Sequence, residues 1–254
     1  GVDWASRIGG VSDTSEGSIF ALDGNSCIYS VGFFQGNIDF DAGSNVVELL
    51  SQGGRNMYIQ KLDIHGNFLW VKSIGPNVSP ESIVTDAENN VIIAGTFWGA
   101  ADFDPGNGIQ SFTAAGYEDV FIMKLDNNGN FLWAKRFGNE YGDYRGRVAT
   151  DNLNNIFWAF TLRTSDNANQ ENTSDIVTVK MDSEGNVIWE NHNEGSGLKN
   201  VTGIKCGSGG NVYLAGTFNG TIDFDPSPNV FLNFSSVTYG KSDFFVQKLT
   251  SDGS

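Results

Sequence analysis

One phrase, repeated along the chain, constrains the fold more than any other feature of the sequence. It reads KLDIHGNFLWVKSIG at residues 61–75, KLDNNGNFLWAKRFG at 124–138 and KMDSEGNVIWENHNEG at 180–195. In each copy a lysine precedes a tryptophan by nine residues. The chain also opens with GVDWASRIGG and closes with FVQKLTSDGS, which match the second and first halves of the phrase. A repeat longer than a hairpin and shorter than a domain indicates a solenoid or a propeller.

Each repeat contains the signals of four short strands. In the second repeat, the β-branched and aromatic runs are ESIVTD, VIIAGTF, DVFIMKLD and FLWAKRF, and links such as AENN and NNGN are typical of hairpins. Four consecutive antiparallel strands form one blade of a β-propeller. The sequence therefore predicts an all-β fold, a single β-propeller domain over residues 1–254. Its four-stranded antiparallel blades are predicted near residues 16–75, 80–138, 145–193, and 199–254 together with 1–10.

The last repeat supplies three strands, and the N-terminal half-phrase is a candidate for the fourth. The run VDWASRI would pair with FVQKLTS, so that the N- and C-terminal strands share the last blade. Closing the ring in this way removes the exposed strand edges at its seam. We therefore predict four blades in a closed disc. The alternative is that these repeats belong to a longer array of about seven blades.

Composition agrees with this fold and narrows the range of partners. The 254 residues include 32 glycines and 13% aromatic residues, which favours short strands and tight turns. No apolar run reaches the length that spans a bilayer, so we predict no membrane insertion. Fifteen Lys and Arg against thirty Asp and Glu give a net charge of −15, which repels a nucleic-acid backbone. Cations, basic proteins or uncharged glycans remain as partners, although acidic surfaces also simply keep proteins soluble.

The phrase KLDNNGNFLWAKRFG, together with NVYLAGTFNGTIDFDPS at residues 211–227, resembles the bacterial β-propeller repeat family labelled SBBP. The resemblance extends over nearly the whole chain. It implies a β-propeller in a secreted or cell-surface protein of Gram-negative bacteria, often a large multidomain one, with adhesion as its role. It transfers no catalytic residue, because the family carries none that is agreed.

Three repeats carry an insert with the tripeptide DFD between their second and third strands, whereas the third repeat has a polar loop at Arg163–Asp175. An extended backbone sends both carboxylates of DFD to one side and the phenylalanine to the other. Such a pair suits Ca²⁺, which takes six to eight oxygen ligands. The alternative is that the aspartates cap the turn by accepting backbone N–H bonds. Structural calcium is the one cofactor considered, and its candidate ligands are Asp39, Asp41, Asp102, Asp104, Asp223 and Asp225.

Aromatic residues that depart from the repeat are candidates for ligand binding. Four tryptophans keep the period and are predicted to pack between blades: Trp4, Trp70, Trp133 and Trp189. Trp98 stands where sister repeats have Gln35 and Asn219, so it is predicted to be exposed. Trp158 and Phe160 replace an aliphatic residue and a glycine. An exposed tryptophan can stack on a sugar or anchor a protein, so Trp98, Trp158 and Phe160 are the candidates. Local repacking is the alternative.

The sequence contains no recognisable catalytic constellation. His65 falls in a hairpin turn and His192 near the end of an outer strand, and neither stands beside a nucleophile. Zinc-ligand spacing, a P-loop and a dinucleotide fingerprint are missing from the sequence. Cys27 and Cys206 would be neighbours only across a closed ring, so a disulfide and two unpaired thiols are both left open.

Three functions follow from these observations. The leading hypothesis is a non-catalytic, secreted or cell-surface module that binds a glycan or a protein in adhesion. The alternative is a structural spacer, one repeat unit of a larger secreted protein. The third is a hydrolase or lyase acting in the central channel. Three equivalent DFD pairs argue against the third, because a single active site needs unlike carboxylates in one place.

Overall fold

The computed structural model describes residues 1–9, 14–165, 172–225, 227, 230–237 and 241–254, which form mostly β-strands. The first repeat forms β1 (Thr14–Leu22), β2 (Ile28–Gln35), β3 (Asn37–Asp39), β4 (Glu48–Leu50), β5 (Asn56–Leu62) and β6 (Phe68–Ile74). The second forms β7 (Val78–Thr85), β8 (Val91–Phe97), β9 (Ala100–Asp102), β10 (Ser111–Thr113), β11 (Asp119–Leu125) and β12 (Phe131–Phe137). The third forms β13 (Tyr144–Thr150), β14 (Ile156–Ser165), β15 (Thr173–Met181) and β16 (Val187–Asn193). The fourth forms β17 (Lys199–Cys206), a 3₁₀ turn (Ser208–Gly210), β18 (Val212–Phe218), β19 (Thr221–Asp223), β20 (Asn233–Ser235) and β21 (Asp243–Leu249).

The strands build four antiparallel sheets, numbered here 1 to 4 in chain order. Sheets 1 to 3 have four strands each, in the orders β1-β2-β5-β6, β7-β8-β11-β12 and β13-β14-β15-β16. The prediction of four strands in these repeats is confirmed. In sheets 1, 2 and 4 a two-stranded ribbon (β3/β4, β9/β10, β19/β20) links the second and third strands. In sheet 3, β14 and β15 continue instead as a long hairpin, and residues 166–171 of the predicted polar loop lie outside the described residues.

The repeated phrase is the hairpin between the third and fourth strands. In its turn the carboxylate of Asp126 accepts the backbone N–H groups of Asn128 and Asn130 at 2.8 and 2.9 Å. Gly129 supplies the positive φ of 78° that closes the turn. This turn sets the register, so that the lysine and tryptophan of each phrase lie directly opposite each other: Lys61 and Trp70, Lys124 and Trp133, Lys180 and Trp189.

The sheets stack face to face, and their inner strands β1, β7, β13 and β17 are neighbours in that order. We call the face that meets the following sheet the front face and the opposite one the back face. The core consists of apolar layers between successive sheets. Ile59 on the front of sheet 1, for example, packs in one layer with Ile93 and Phe121 on the back of sheet 2. Layers of this kind between four-stranded sheets are compatible with a β-propeller.

The described residues do not show the ring closed. Sheet 4 contains β17, β18 and β21, and residues 1–9 form no strand beside β21. The N-terminal segment lies on sheet 1, where the Trp4 indole donates to the carbonyl of Ile64 at 3.1 Å and Ile8 packs on a small apolar cluster. The predicted four-stranded last blade is therefore corrected to three strands in this part of the chain, because the edge of β21 stays free. The number of blades remains a prediction.

Two further findings concern the membrane and the thiols. No helix within the described residues has the length and apolarity needed to cross a membrane. Cys27 and Cys206 are both free thiols. Burial raises the pKa of Cys206 to about 12, so this thiol stays protonated at neutral pH.

Candidate binding surfaces

The same contact recurs wherever one sheet follows another, and we call it a joint: a tryptophan and a lysine of one sheet donate to one turn carbonyl of the next. The Trp70 indole and the Lys61 ammonium both donate to the carbonyl of Asn127, in the hairpin turn of sheet 2, at 3.2 and 3.0 Å. Two more joints repeat this arrangement, with Trp133 and Lys124 on Ser183 and with Trp189 and Lys180 on Ser251. The predicted packing role of these tryptophans agrees with this geometry. Sequence reasoning missed the lysine, although its constant nine-residue spacing from tryptophan was a signal.

In the first two sheets the joint lysine also meets a buried aspartate. The Nζ atom of Lys124 lies 2.9 Å from Oδ2 of Asp86, and Lys61 lies 3.7 Å from Asp23. Asp86 in addition accepts the backbone N–H groups of Glu88 and Asn90. These carboxylates therefore link the inner hairpins to the joints, so their role is structural.

The first aspartate of each DFD caps the turn of its ribbon. Oδ1 of Asp102 accepts the backbone N–H groups of Asp104 and Gln110 at 3.1 and 2.7 Å. The equivalent bonds run from Asp41 and Val47 to Asp39, and from Asp225 and Leu232 to Asp223. The central phenylalanine points the other way, and Phe40 and Phe103 are fully buried. This geometry matches the turn-cap alternative.

The second aspartate caps a tighter turn. Asp41, Asp104 and Asp225 accept the backbone N–H groups of Gly43, Gly106 and Ser227 at 2.8, 2.7 and 2.9 Å. No group of three or more His, Cys, Asp or Glu side chains is arranged to hold a metal ion in the part of the chain that the structure describes. Calcium at these turns stays a prediction, and it needs oxygen ligands beyond the two carboxylates.

Substitution of Asp102 separates the two interpretations. We expect Asp102→Ala to lower the free energy of unfolding by about 1 to 3 kcal/mol, because two backbone N–H groups lose their acceptor. Asp102→Asn is the matched control, since its carbonyl oxygen keeps an acceptor in place. Urea denaturation in EDTA and in millimolar Ca²⁺ measures both variants. A loss of stability that occurs only in the presence of Ca²⁺, and is equal for the two variants, would contradict the turn-cap interpretation.

Of the three aromatic candidates, Trp98 alone is exposed to solvent, at 41%. Trp158 and Phe160 are 3% and 0% exposed, and their rings lie 4.5 Å apart, centroid to centroid, in the layer between sheets 2 and 3. The prediction that these two residues bind a ligand is corrected, because no ligand in solvent reaches them. They pack the core, as the alternative interpretation had it.

An irregular inner strand makes room for Phe160. The sister sheets have glycine at this position, and a Cβ at Gly95 would lie only 2.0 Å from the carbonyl oxygen of Ser79. In sheet 3 the pairing of β13 with β14 skips from Tyr144 to Arg147. Sheets 1, 2 and 4 also have a bulge at this position, but it contains one residue, whereas in sheet 3 two residues of β13 lie opposite Phe160. We attribute the space for the ring to this larger bulge.

Apolar side chains are exposed at both ends of the row of sheets. On the front face of sheet 4, Phe244 is 81% and Val246 70% exposed. The equivalent Val120 and Ile122 of sheet 2 are fully buried beneath sheet 3. On the back face of sheet 1, Phe20 is 69% exposed. The front face of sheet 4 therefore presents to solvent the apolar surface that the layers between sheets bury, whereas the back face of sheet 1 is exposed along β1 and buried at Tyr58.

A groove runs along the free edge of β21 and joins the front face of sheet 4. Its volume is about 510 Å³, and its lining includes Phe218, Phe224, Phe234, Val237, Phe245 and Gln247. The neighbouring Val230 and Phe231 are also exposed. Single exposed apolar residues are ordinary, whereas a contiguous patch marks an interaction surface.

The buried acidic pair between sheets 2 and 3 is closed to solvent. Asp119 and Asp143 have no exposed surface. Oδ2 of Asp119 lies 2.7 Å from Nη1 of Arg136, and Asp143 accepts the backbone N–H groups of Asn139 and Arg163. Burial raises the pKa of Asp143 to about 6, and the charge of Asp119 acts in the same direction. The two carboxylates differ in environment, as an acid and a base do, but a substrate cannot reach them.

An ion pair links the inner strands of sheets 2 and 3. Nη1 of Arg147 lies 3.8 Å from Oε2 of Glu81 and donates to the Glu81 carbonyl at 3.1 Å. Burial raises the pKa of Glu81. The Nε atom of Arg147 donates to the carbonyl of Thr202 on sheet 4 at 3.2 Å. Arg147 thus joins three neighbouring sheets.

Comparison with known proteins gives one informative similarity. No family model matches the chain. An uncharacterized WD repeat-containing protein of Acanthamoeba polyphaga mimivirus is 25% identical over 195 residues. The aligned region covers 63% of this chain and 14% of that relative. WD repeats form four-stranded propeller blades, which agrees with an all-β, propeller-like repeat protein. The resemblance to the SBBP family specifically stays a prediction.

Proposed function

We propose that this chain is a non-catalytic protein-interaction module, and that it binds its partner through the front face of sheet 4. The exposure of Phe244 and Val246, continuous with the groove along β21, carries the proposal. Contiguous apolar surface on a soluble domain is typical of an interface. The similarity to a WD repeat-containing protein and the structural use of the buried carboxylates favour a scaffold over an enzyme.

Photo-crosslinking tests this function at residue level. A photoreactive residue in place of Val246 is expected to give discrete crosslinked protein products, which mass spectrometry identifies. Val187, which is also apolar and exposed but lies on an outer strand, is the control position. Identical products from the two positions, or none from residue 246, would overturn the proposal.

We further propose that the module acts in a secreted or bacterial cell-surface protein and contributes to adhesion. The likeness of the repeats to the SBBP family supports this location, and a net charge of −15 suits a soluble extracellular surface. The spacer function within a larger secreted protein is the alternative, and it requires that the front face of sheet 4 bind nothing.

A second candidate function, glycan binding, rests on the exposed ring of Trp98. An exposed indole stacks on the apolar face of a sugar. If it does so here, Trp98→Ala should weaken glycan binding about tenfold, as expected for loss of an aromatic anchor. Tyr117→Ala, which removes a more exposed aromatic ring, is the control. A glycan array followed by titration of the best ligand measures both, and equal binding by wild type and Trp98→Ala contradicts this role.

A further inference from the structure

The N-terminal segment occupies the place of an outer strand that belongs to a preceding sheet. The Trp4 indole donates to the Ile64 carbonyl at 3.1 Å, just as the Trp70 indole donates to Asn127. A Cβ built on Gly66 would strike the ring of Trp4, and one on Gly129 would meet the ring of Trp70. Residues 1–9 therefore sit on sheet 1 as β6 sits on sheet 2.

This N-terminal joint lacks its lysine. In the three complete joints one carbonyl accepts bonds from both a tryptophan and a lysine. Among the described residues the carbonyl of Ile64 receives the Trp4 indole alone. The lysine at the matching position of the repeat is Lys248 on β21, whose ammonium lies over the ring of Tyr213 at 6.0 Å.

Within the described residues, β21 has no outer strand along its edge. In sheets 1 to 3 the lysine of the third strand faces the tryptophan of the fourth. In the same register Lys248 would face Trp4, and the run VDWASRI would lie along β21 as FLWVKSI lies along β5. In the part of the chain that the structure describes, sheet 4 therefore has no outer strand, and residues 1–9 occupy the position of an outer strand beside sheet 1.

We propose that the front face of sheet 4 binds the back face of sheet 1 and the N-terminal strand of a second copy of this chain. Residues 2–8 of the second copy add a fourth strand to β21. Phe244 and Val246 then face the exposed Phe20 of the other copy, and Lys248 donates to the partner's Ile64. The proposal rests on the proposed function, since it names the partner of the same surface.

Head-to-tail contacts of this kind form either closed rings or open filaments. Two copies bring eight sheets together, and propellers contain about four to eight blades. Three copies would exceed that range. We therefore expect a closed dimer with two identical contacts, in which neither exposed face is left over.

Complementation between two variants tests the head-to-tail arrangement. Val246→Asp places a charge on the front face of sheet 4, and Phe20→Asp places one on the back face of sheet 1. The wild type is expected to be a dimer by analytical ultracentrifugation, and each variant alone a monomer. A mixture of the two is expected to form a 1:1 dimer, because one contact in the pair keeps two native faces. Ile109→Asp, at a site 82% exposed on the second ribbon, is the control and stays dimeric.

Circular dichroism spectra like that of the wild type, together with a cooperative melting transition, establish that the two monomeric variants fold. A mixture that stays monomeric overturns the head-to-tail contact, and so does equal loss of the dimer in Ile109→Asp. A wild type that is monomeric at all concentrations overturns the second copy as the partner. In that case crosslinks from residue 246 to a different protein leave the proposed function standing, whereas no crosslinks remove it as well.

Discussion

Lys124→Met should lower the free energy of unfolding by about 3 to 5 kcal/mol, the loss expected when one partner of a buried ion pair is removed. The Nζ atom of Lys124 lies 2.9 Å from Oδ2 of Asp86 and 3.1 Å from the carbonyl of Ser183, and 3% of the lysine side chain is exposed. Methionine fills a similar volume but leaves Asp86 buried without its counter-charge. Guanidinium denaturation at neutral pH measures the difference.

Lys180→Met is the matched control for this prediction. Lys180 makes the same joint, with a bond of 2.8 Å to the carbonyl of Ser251 in an exposed setting, and the described residues give it no buried aspartate like Asp86. We expect its loss to be about 1 kcal/mol, the value of an ordinary hydrogen bond. Equal losses for the two lysines would show that the ion pair contributes nothing beyond the joint.

Raising the pH through the range 4 to 6 should weaken the fold through Asp143. Burial raises the pKa of this carboxyl to about 6, whereas in an unfolded chain it is about 3.9. The folded state therefore binds the proton more tightly. The contribution of Asp143 is fully present below the unfolded pKa and is lost as the pH rises through the folded pKa. The difference between the two pKa values corresponds to about 3 kcal/mol.

Asp143→Asn isolates this contribution. Asparagine carries no charge and keeps one acceptor oxygen for the N–H group of Asn139 or Arg163, so its stability should not follow the same slope. Carboxyls remote from residue 143 are unaffected by the substitution and cancel, including Asp182, whose pKa the Asn186 side chain lowers. Free energies of unfolding at pH 4, 5, 6 and 7 give the two profiles. Parallel profiles would show that Asp143 titrates normally.

The strands and hairpin turns were predictable because they depend on residues close together in the sequence. The turn at Asp126 to Gly129 needs a hydrogen-bond acceptor and a residue with positive φ, and the aspartate and glycine in the sequence indicate both. The DFD turns were left between two interpretations, because the sequence does not give the positions of the backbone N–H groups. Asp102 in a turn favours a cap, but only the positions of the N–H groups show that it accepts two bonds.

The errors came from contacts between distant segments. Phe160 was a candidate for ligand binding because its repeat position holds glycine elsewhere, and the two-residue bulge between Tyr144 and Arg147 that lies opposite it is on another strand. The closing of the ring depends on the angle between successive sheets. No residue pattern shows that angle, so the free edge of β21 could not be foreseen.

The joint between sheets also bears on how such a protein evolves. The strands of each sheet pair only with strands of the same sheet, and each complete joint uses the same two donors and one turn carbonyl. A repeat array of this kind couples each unit only to its neighbours. A gene could therefore gain or lose whole repeats by duplication or deletion without creating a new type of junction, and damage in one layer would leave distant layers intact.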